Sequence, residues 1–196
     1  NQVLGKSAGH TLEMLECIRF LLNKEKDIRL EKITYELTSS ILMMSQNLSK
    51  DEAIKKINTV VSSGLAAEKF EKMVHALGGP VDILSSYKKY LEVSSFKKEI
   101  FSKRAGWIKN IKTRELGLIL IELGGGRKQI TDKINYNVGY NNVLNVGDKI
   151  DSSQPILTVY TDSINDYENV REKIEDCFII SDSHINALPE TFEVIK

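Results

Sequence analysis

From Leu12 to Leu91 the apolar residues recur every three or four positions, and beyond Val93 that period gives way to short alternating or continuous apolar runs. A 3.6-residue period buries one stripe of a helix, whereas a period of two buries one face of a strand. The two stretches therefore belong to different architectures. The reading that follows is an all-helical piece over residues 1–93 and an α+β module over residues 94–196.

Within the helical piece, Leu12, Leu15, Ile18, Leu21 and Leu22 mark a first helix, and Ile33, Leu37, Ile41, Leu42 and Met44 a second. Ser49-Lys50-Asp51-Glu52 is a capping-box pattern opening a third through Ile54, Ile57 and Val61, which Gly64 ends. Ala66 to Leu77 makes a fourth, stopped by Gly78-Gly79-Pro80, and Val81 to Leu91 a short fifth. No sheet that these amphipathic helices would cover is evident in residues 1–90, so an exposed apolar face is expected on them.

In the second module, Phe96 to Ile100, Gly106 to Ile111, Asn135 to Tyr140, Pro155 to Tyr160 and Thr191 to Ile195 read as strands. Thr113 is placed to cap a helix over Arg114 to Leu123, ending at Gly124-Gly125-Gly126, and Asn165 to Cys177 returns to helical period.

Lys+Arg and Asp+Glu each number 27, so the formal charge is zero and no basic footprint for nucleic acid or a membrane surface is expected. The apolar run from Leu116 to Leu123 is broken by Gly117 and Glu122 and falls well short of the roughly 18 residues that span a bilayer. Cys17 and Cys177 lie far apart without CxxC spacing, so free, core-packed thiols in a reducing cytoplasm are expected, with a disulfide between them as the alternative. His10 reads as a polar cap contact, His75 as a core or boundary histidine and His184 as a loop residue; no two share metal-ligand spacing.

Leu4-Gly5-Lys6-Ser7-Ala8-Gly9 sets small residues just ahead of the first helix, where backbone carbonyls can converge, with Glu13 and Glu16 following. Carbonyls plus a carboxylate are how a hard cation is held, although Gly-x-x-x-Gly before a helix also serves as a plain turn and cap. Gly124-Gly125-Gly126-Arg127 could suggest a phosphate loop, but a helix C-cap and tight turn is the reading preferred.

Four stretches resemble one family in order along the chain: NQVLGKSAGHTLEMLECIRFLL, AAEKFEKMVHALGGP, GWIKNIKTRELGLILIELGGGRK and INYNVGYNNVLNVGDKIDSSQPILTVYTD. They are similar to segments of the thymidine phosphorylases and pyrimidine-nucleoside phosphorylases. The resemblance implies that residues 1–93 are the C-terminal helical part of the catalytic α/β domain, followed by an α/β-hammerhead, barrel-sandwich-like terminal domain at 94–196. It implies reversible phosphorolysis of thymidine to thymine and 2-deoxyribose 1-phosphate, in a cytoplasmic homodimer with phosphate and thymidine as substrates and no organic cofactor. The family's phosphate loop and base-gripping residues precede the matched segments, so no catalytic or substrate-binding residue is assigned within this chain. Asn1-Gln2-Val3 shows neither an initiator methionine nor a basic-then-apolar leader. The expectation is therefore an inactive downstream piece whose partner is an N-terminal half. The one family site that carries over is half of a monovalent-cation site, potassium in the family, onto the carbonyls of Leu4 and Ser7 and the carboxylate of Glu16; the resemblance puts its remaining ligands on the glycine loop that precedes the matched segments, so this half by itself is expected to bind poorly.

Two other classes stand beside this reading. VGDKIDSSQPILTVYTDS is similar to lipoyl and biotinyl carrier half-barrels, yet Asp162 is followed by Ser163 where a carrier needs its modifiable lysine. A structural or regulatory half of a split protein is the other. Anthranilate phosphoribosyltransferase shares the catalytic fold but lacks a module like 94–196.

Overall fold

The computed structural model describes residues 2–189 and divides into two compact units, Leu15–Leu91 and the pairing of Asn1–Met14 with Glu92–Pro189. The described residues up to Met14 thus cluster with the α+β module. No helix among the described residues is long and apolar enough to cross a membrane.

Helices α1 (His10–Leu21), α2 (Ile28–Gln46), α3 (Lys50–Ser62), α4 (Leu65–Ala76) and α5 (Ile83–Tyr90) occupy the helical stretch. Their ends follow local chemistry. Asp27 caps α2, its carboxylate accepting the Leu30 N–H at 2.8 Å. Ser49 and Glu52 close a full capping box on α3: the Glu52 N–H donates to Ser49 Oγ at 3.3 Å and the Ser49 N–H to Glu52 Oε2 at 2.9 Å. Gly78, at φ +91°, ends α4 with its N–H on His75 O and the Gly79 N–H on Val74 O, a Schellman pattern. Within this unit α2 packs on α3, α3 on α4 and α4 on α5, burying Ala53, Ile57, Val61, Ala67 and Ile83. Leu37, Ile41 and Met44, spaced to share one face of α2, are 60–81% exposed. His75 is exposed, its Nδ1 3.5 Å from Gly79 O, and is not the core or boundary histidine expected. It sits in the last turn of α4, whose buried side is set by Ala67.

The α+β unit holds two three-stranded antiparallel sheets. In the first, β1 (Phe96–Phe101), β5 (Pro155–Thr161) and β3 (Gly139–Asn141) lie in the order β1-β5-β3. In the second, β4 (Lys149–Ile150), β2 (Gly106–Ile111) and β6 (Phe178–Ser181) lie in the order β4-β2-β6. Helices α6 (Thr113–Glu122) and α7 (Ile164–Glu175) complete the unit. One continuous core links them, with Ile108, Ile111, Leu116, Tyr140, Val159 and Ile174 among its members.

Several expectations shift here. The strand expected over Asn135 to Tyr140 is only Gly139–Asn141, because Asn135 and Asn137 are engaged in a local turn, the Asn137 N–H on Asn135 Oδ1 at 3.1 Å. Strands β4 and β6 are too short to show a period. Thr113 is the first helical residue rather than the cap; Lys112 holds the cap position and Thr113 Oγ turns back to Ile111 O at 3.2 Å. The strand expected at Thr191 to Ile195 lies outside the described residues. Ser163, in the place a carrier lysine would occupy, caps α7 by accepting the Asp166 N–H at 3.2 Å.

Candidate functional site

The opening turn runs along the segment that carries β3. Ala8 and Tyr140 form an antiparallel bridge, with the Ala8 N–H on Tyr140 O at 3.0 Å and the Tyr140 N–H on Ala8 O at 2.7 Å. Flanking it, the Val143 N–H donates to Lys6 O at 3.0 Å and the Thr11 N–H to Tyr136 O at 3.2 Å. Side chains extend the seam. Ser7 Oγ donates to Asn141 Oδ1 at 3.2 Å, and Gln2 Oε1 accepts the Val146 N–H at 2.9 Å. His10 meets the Tyr136 ring edge-on with centroids 5.1 Å apart, an aromatic contact in place of the polar cap expected.

Two glycines make this approach possible. A Cβ on Gly9 would lie 2.6 Å from Val138 O and 2.9 Å from Gly139 Cα; one on Gly139 would lie 2.8 Å from Leu12 Cδ1 and 3.2 Å from Gly9 Cα. Gly9 also sits at φ +120°, which a side chain would strain. Its N–H donates to Glu13 Oε1 at 3.0 Å, so the turn does cap α1, as the plainer reading of Gly-x-x-x-Gly has it.

Of the three residues carried over for a cation, Leu4 is exposed and Ser7 buried, both in the opening turn, while Glu16 is half-buried on α1 beyond Met14, in the helical unit. Among the described residues no group of three or more His, Cys, Asp or Glu converges as a metal site. The Gly124-Gly125-Gly126-Arg127 stretch is a helix stop: Gly124 has φ +90°, its N–H bonds Ile121 O and the Gly125 N–H bonds Leu120 O.

Neither cysteine forms a disulfide. Cys177 is buried, its Sγ 3.2 Å from Lys173 O, and burial pushes its thiol up to about 11. Cys17 is raised too, by burial first and by the nearby Glu16 carboxylate second. Tyr140 is fully buried with its hydroxyl 3.1 Å from Leu116 O, and desolvation holds its phenol far above the usual range. These are packing groups, protonated at neutral pH. A shallow cleft of about 440 Å³ beside β6 mixes Lys103, Arg104 and Lys112 with Glu175 and Asp176.

Residues 107–181 match the family model for the pyrimidine nucleoside phosphorylase C-terminal domain. Over those residues the chain is similar to that domain. The match spans β2 to β6 and therefore includes Gly139 and Asn141, the side of the seam that receives the opening turn. The resemblance read in the sequence and this match agree on the pyrimidine nucleoside phosphorylase family, whose enzymes are pentosyltransferases. The strand pattern over Asn135 to Tyr140 makes Gly139 an ordinary strand residue; a glycine inside such a pattern is the available sign of close backbone approach. Asn141 carries no sign of its own in the sequence.

Proposed function

We propose that the chain serves thymidine phosphorolysis, as the C-terminal portion of a phosphorylase whose phosphate loop and base-gripping residues lie on a separate N-terminal portion. What carries the reading is the C-terminal domain match at 107–181, preceded in order by two further family-like stretches, at 1–22 and 66–80. In this reaction a phosphate oxygen bonds to the anomeric carbon as the glycosidic C–N bond breaks. The bonding pair leaves on the pyrimidine nitrogen, which takes up a proton. The α+β domain acts as an α/β-hammerhead support, and the parent works as a cytoplasmic homodimer.

Potassium belongs to the same proposal. Leu4 and Ser7 would hold it through their carbonyls, and Glu16 is the carboxylate that the family pattern adds. Oxygen donors on a backbone pinned by Lys6 O and Ala8 O suit a hard cation of this kind. Bound there, the ion would supply positive charge next to the attacking phosphate.

The test is thymidine phosphorolysis followed by ultraviolet absorbance, with phosphate and potassium, on the chain alone and after mixing with an N-terminal portion carrying the phosphate loop. No turnover alone and turnover on mixing is expected. Turnover by the chain alone would overturn the placement of the catalytic groups.

A further inference from the structure

We propose that Asn141, with Gly139 behind it, is a positioning residue: the C-terminal domain sets the conformation of the opening turn, residues 4–9, across the seam. The seam is built from both sides. Gly9 and Gly139 abut so closely that a Cβ on either would strike the other's strand. One residue further on, Ala8 and Tyr140 exchange both backbone hydrogen bonds. One step beyond that, Ser7 Oγ donates to Asn141 Oδ1. Three successive residues of the turn thus meet three successive residues of β3, by backbone contact, by a two-bond bridge and by a side-chain bond.

Asn141 also holds itself. Its Oδ1 accepts the Asn142 N–H at 2.9 Å, and Asn142 sits at φ +53°, a conformation asparagine tolerates well. The side chain that orients Ser7 is therefore anchored by its own turn. Lys6 O and Ala8 O, on either side of Ser7, are spent on Val143 and Tyr140. The register of the turn, and with it the direction of each carbonyl, is set by the domain.

What the turn is positioned for rests on the reading above, in which the Leu4 and Ser7 carbonyls ligate potassium; that the turn is positioned does not. Two measurements on the full chain separate them. The first is amide hydrogen exchange at Ala8 and Val143 in the wild type, Asn141→Ala and Ser7→Ala. Loss of one part-buried hydrogen bond should speed exchange there by roughly tenfold in either variant, and the double variant should be no faster. Unchanged exchange in both single variants overturns the proposal. The second is thermal stability in potassium chloride against choline chloride. The wild type should gain stability only at high potassium, as half of a cation site would, and Asn141→Ala should need roughly tenfold more potassium for the same gain, beyond whatever it loses in choline. An equal loss in both salts means a merely structural role and overturns positioning toward a ligand. A wild type indifferent to potassium overturns the cation reading alone, and exchange then decides the positioning by itself. Gly139→Ala is the harsher check, since its Cβ strikes Leu12 Cδ1 and the Ala8 carbonyl.

Discussion

At the scale of single residues, burial decides more than residue type. Cys177 shows this most directly. Its thiol is raised from 9.0 to about 11, chiefly by desolvation, so the folded chain keeps a proton that the unfolded chain gives up. The sign follows: this contribution to stability is complete below about pH 9 and is lost as pH rises toward about 11. Urea midpoints measured across that window should fall more steeply for the wild type than for Cys177→Ala. Equal slopes would remove Cys177 as the cause. Tyr140 follows the same physics, but its hydroxyl also has the Leu116 carbonyl to bond, so its role is to satisfy as well as to fill.

At the scale of elements, the helix ends are where sequence and structure agree best, because caps are decided within a few residues. Ser49 with Glu52, Gly64, Gly78 and Gly124 all do what their local sequences imply. Gly124→Ala meets nothing closer than Asn135 Cβ at 3.5 Å, so its cost is backbone strain at φ +90°, about 1–2 kcal/mol. Gly78→Ala meets no atom within 4 Å and should cost a similar, roughly equal amount by the same mechanism. Chemical denaturation of both variants checks this; a loss well above that range at Gly124 would mean that the glycine also makes room for something. Ser163→Ala should cost about 1 kcal/mol through loss of the α7 cap, read the same way. Elements that depend on distant partners were harder to see. Strand β4 is two residues long and exists because β2 lies beside it. Strand β3 is trimmed to three residues by the asparagine turn before it.

At the scale of the whole molecule, the apolar residues left exposed on α2 are the feature that a self-sufficient helical unit would avoid. Leu37, Ile41 and Met44 form a stripe at i, i+4 and i+7, as the sequence reading expected of helices without a sheet to cover. The chain should bind a hydrophobic dye more strongly than a fully folded control of equal size. Leu37→Lys and Ile41→Lys should each lower that binding without lowering the melting temperature. Dye binding at the control level would mean that the stripe is covered in solution. The grouping of residues 1–14 with the α+β unit belongs to this scale as well. Nothing in their own pattern, an apolar period starting at Leu12, points to a partner more than a hundred residues away.

Local sequence is enough to place the change of architecture near residue 94, the helices with several of their ends, the long strands and the resemblance to one family. Each of these is written in periods, cap residues or motifs that act over a few positions. Which strands pair, that Gly9 faces Gly139, and that Asn141 holds Ser7 arise only in the folded chain. A contact spanning 134 positions leaves no periodic mark on either segment. It exists because two backbones without side chains can approach where any Cβ would clash, and that complementarity arises only once both have folded.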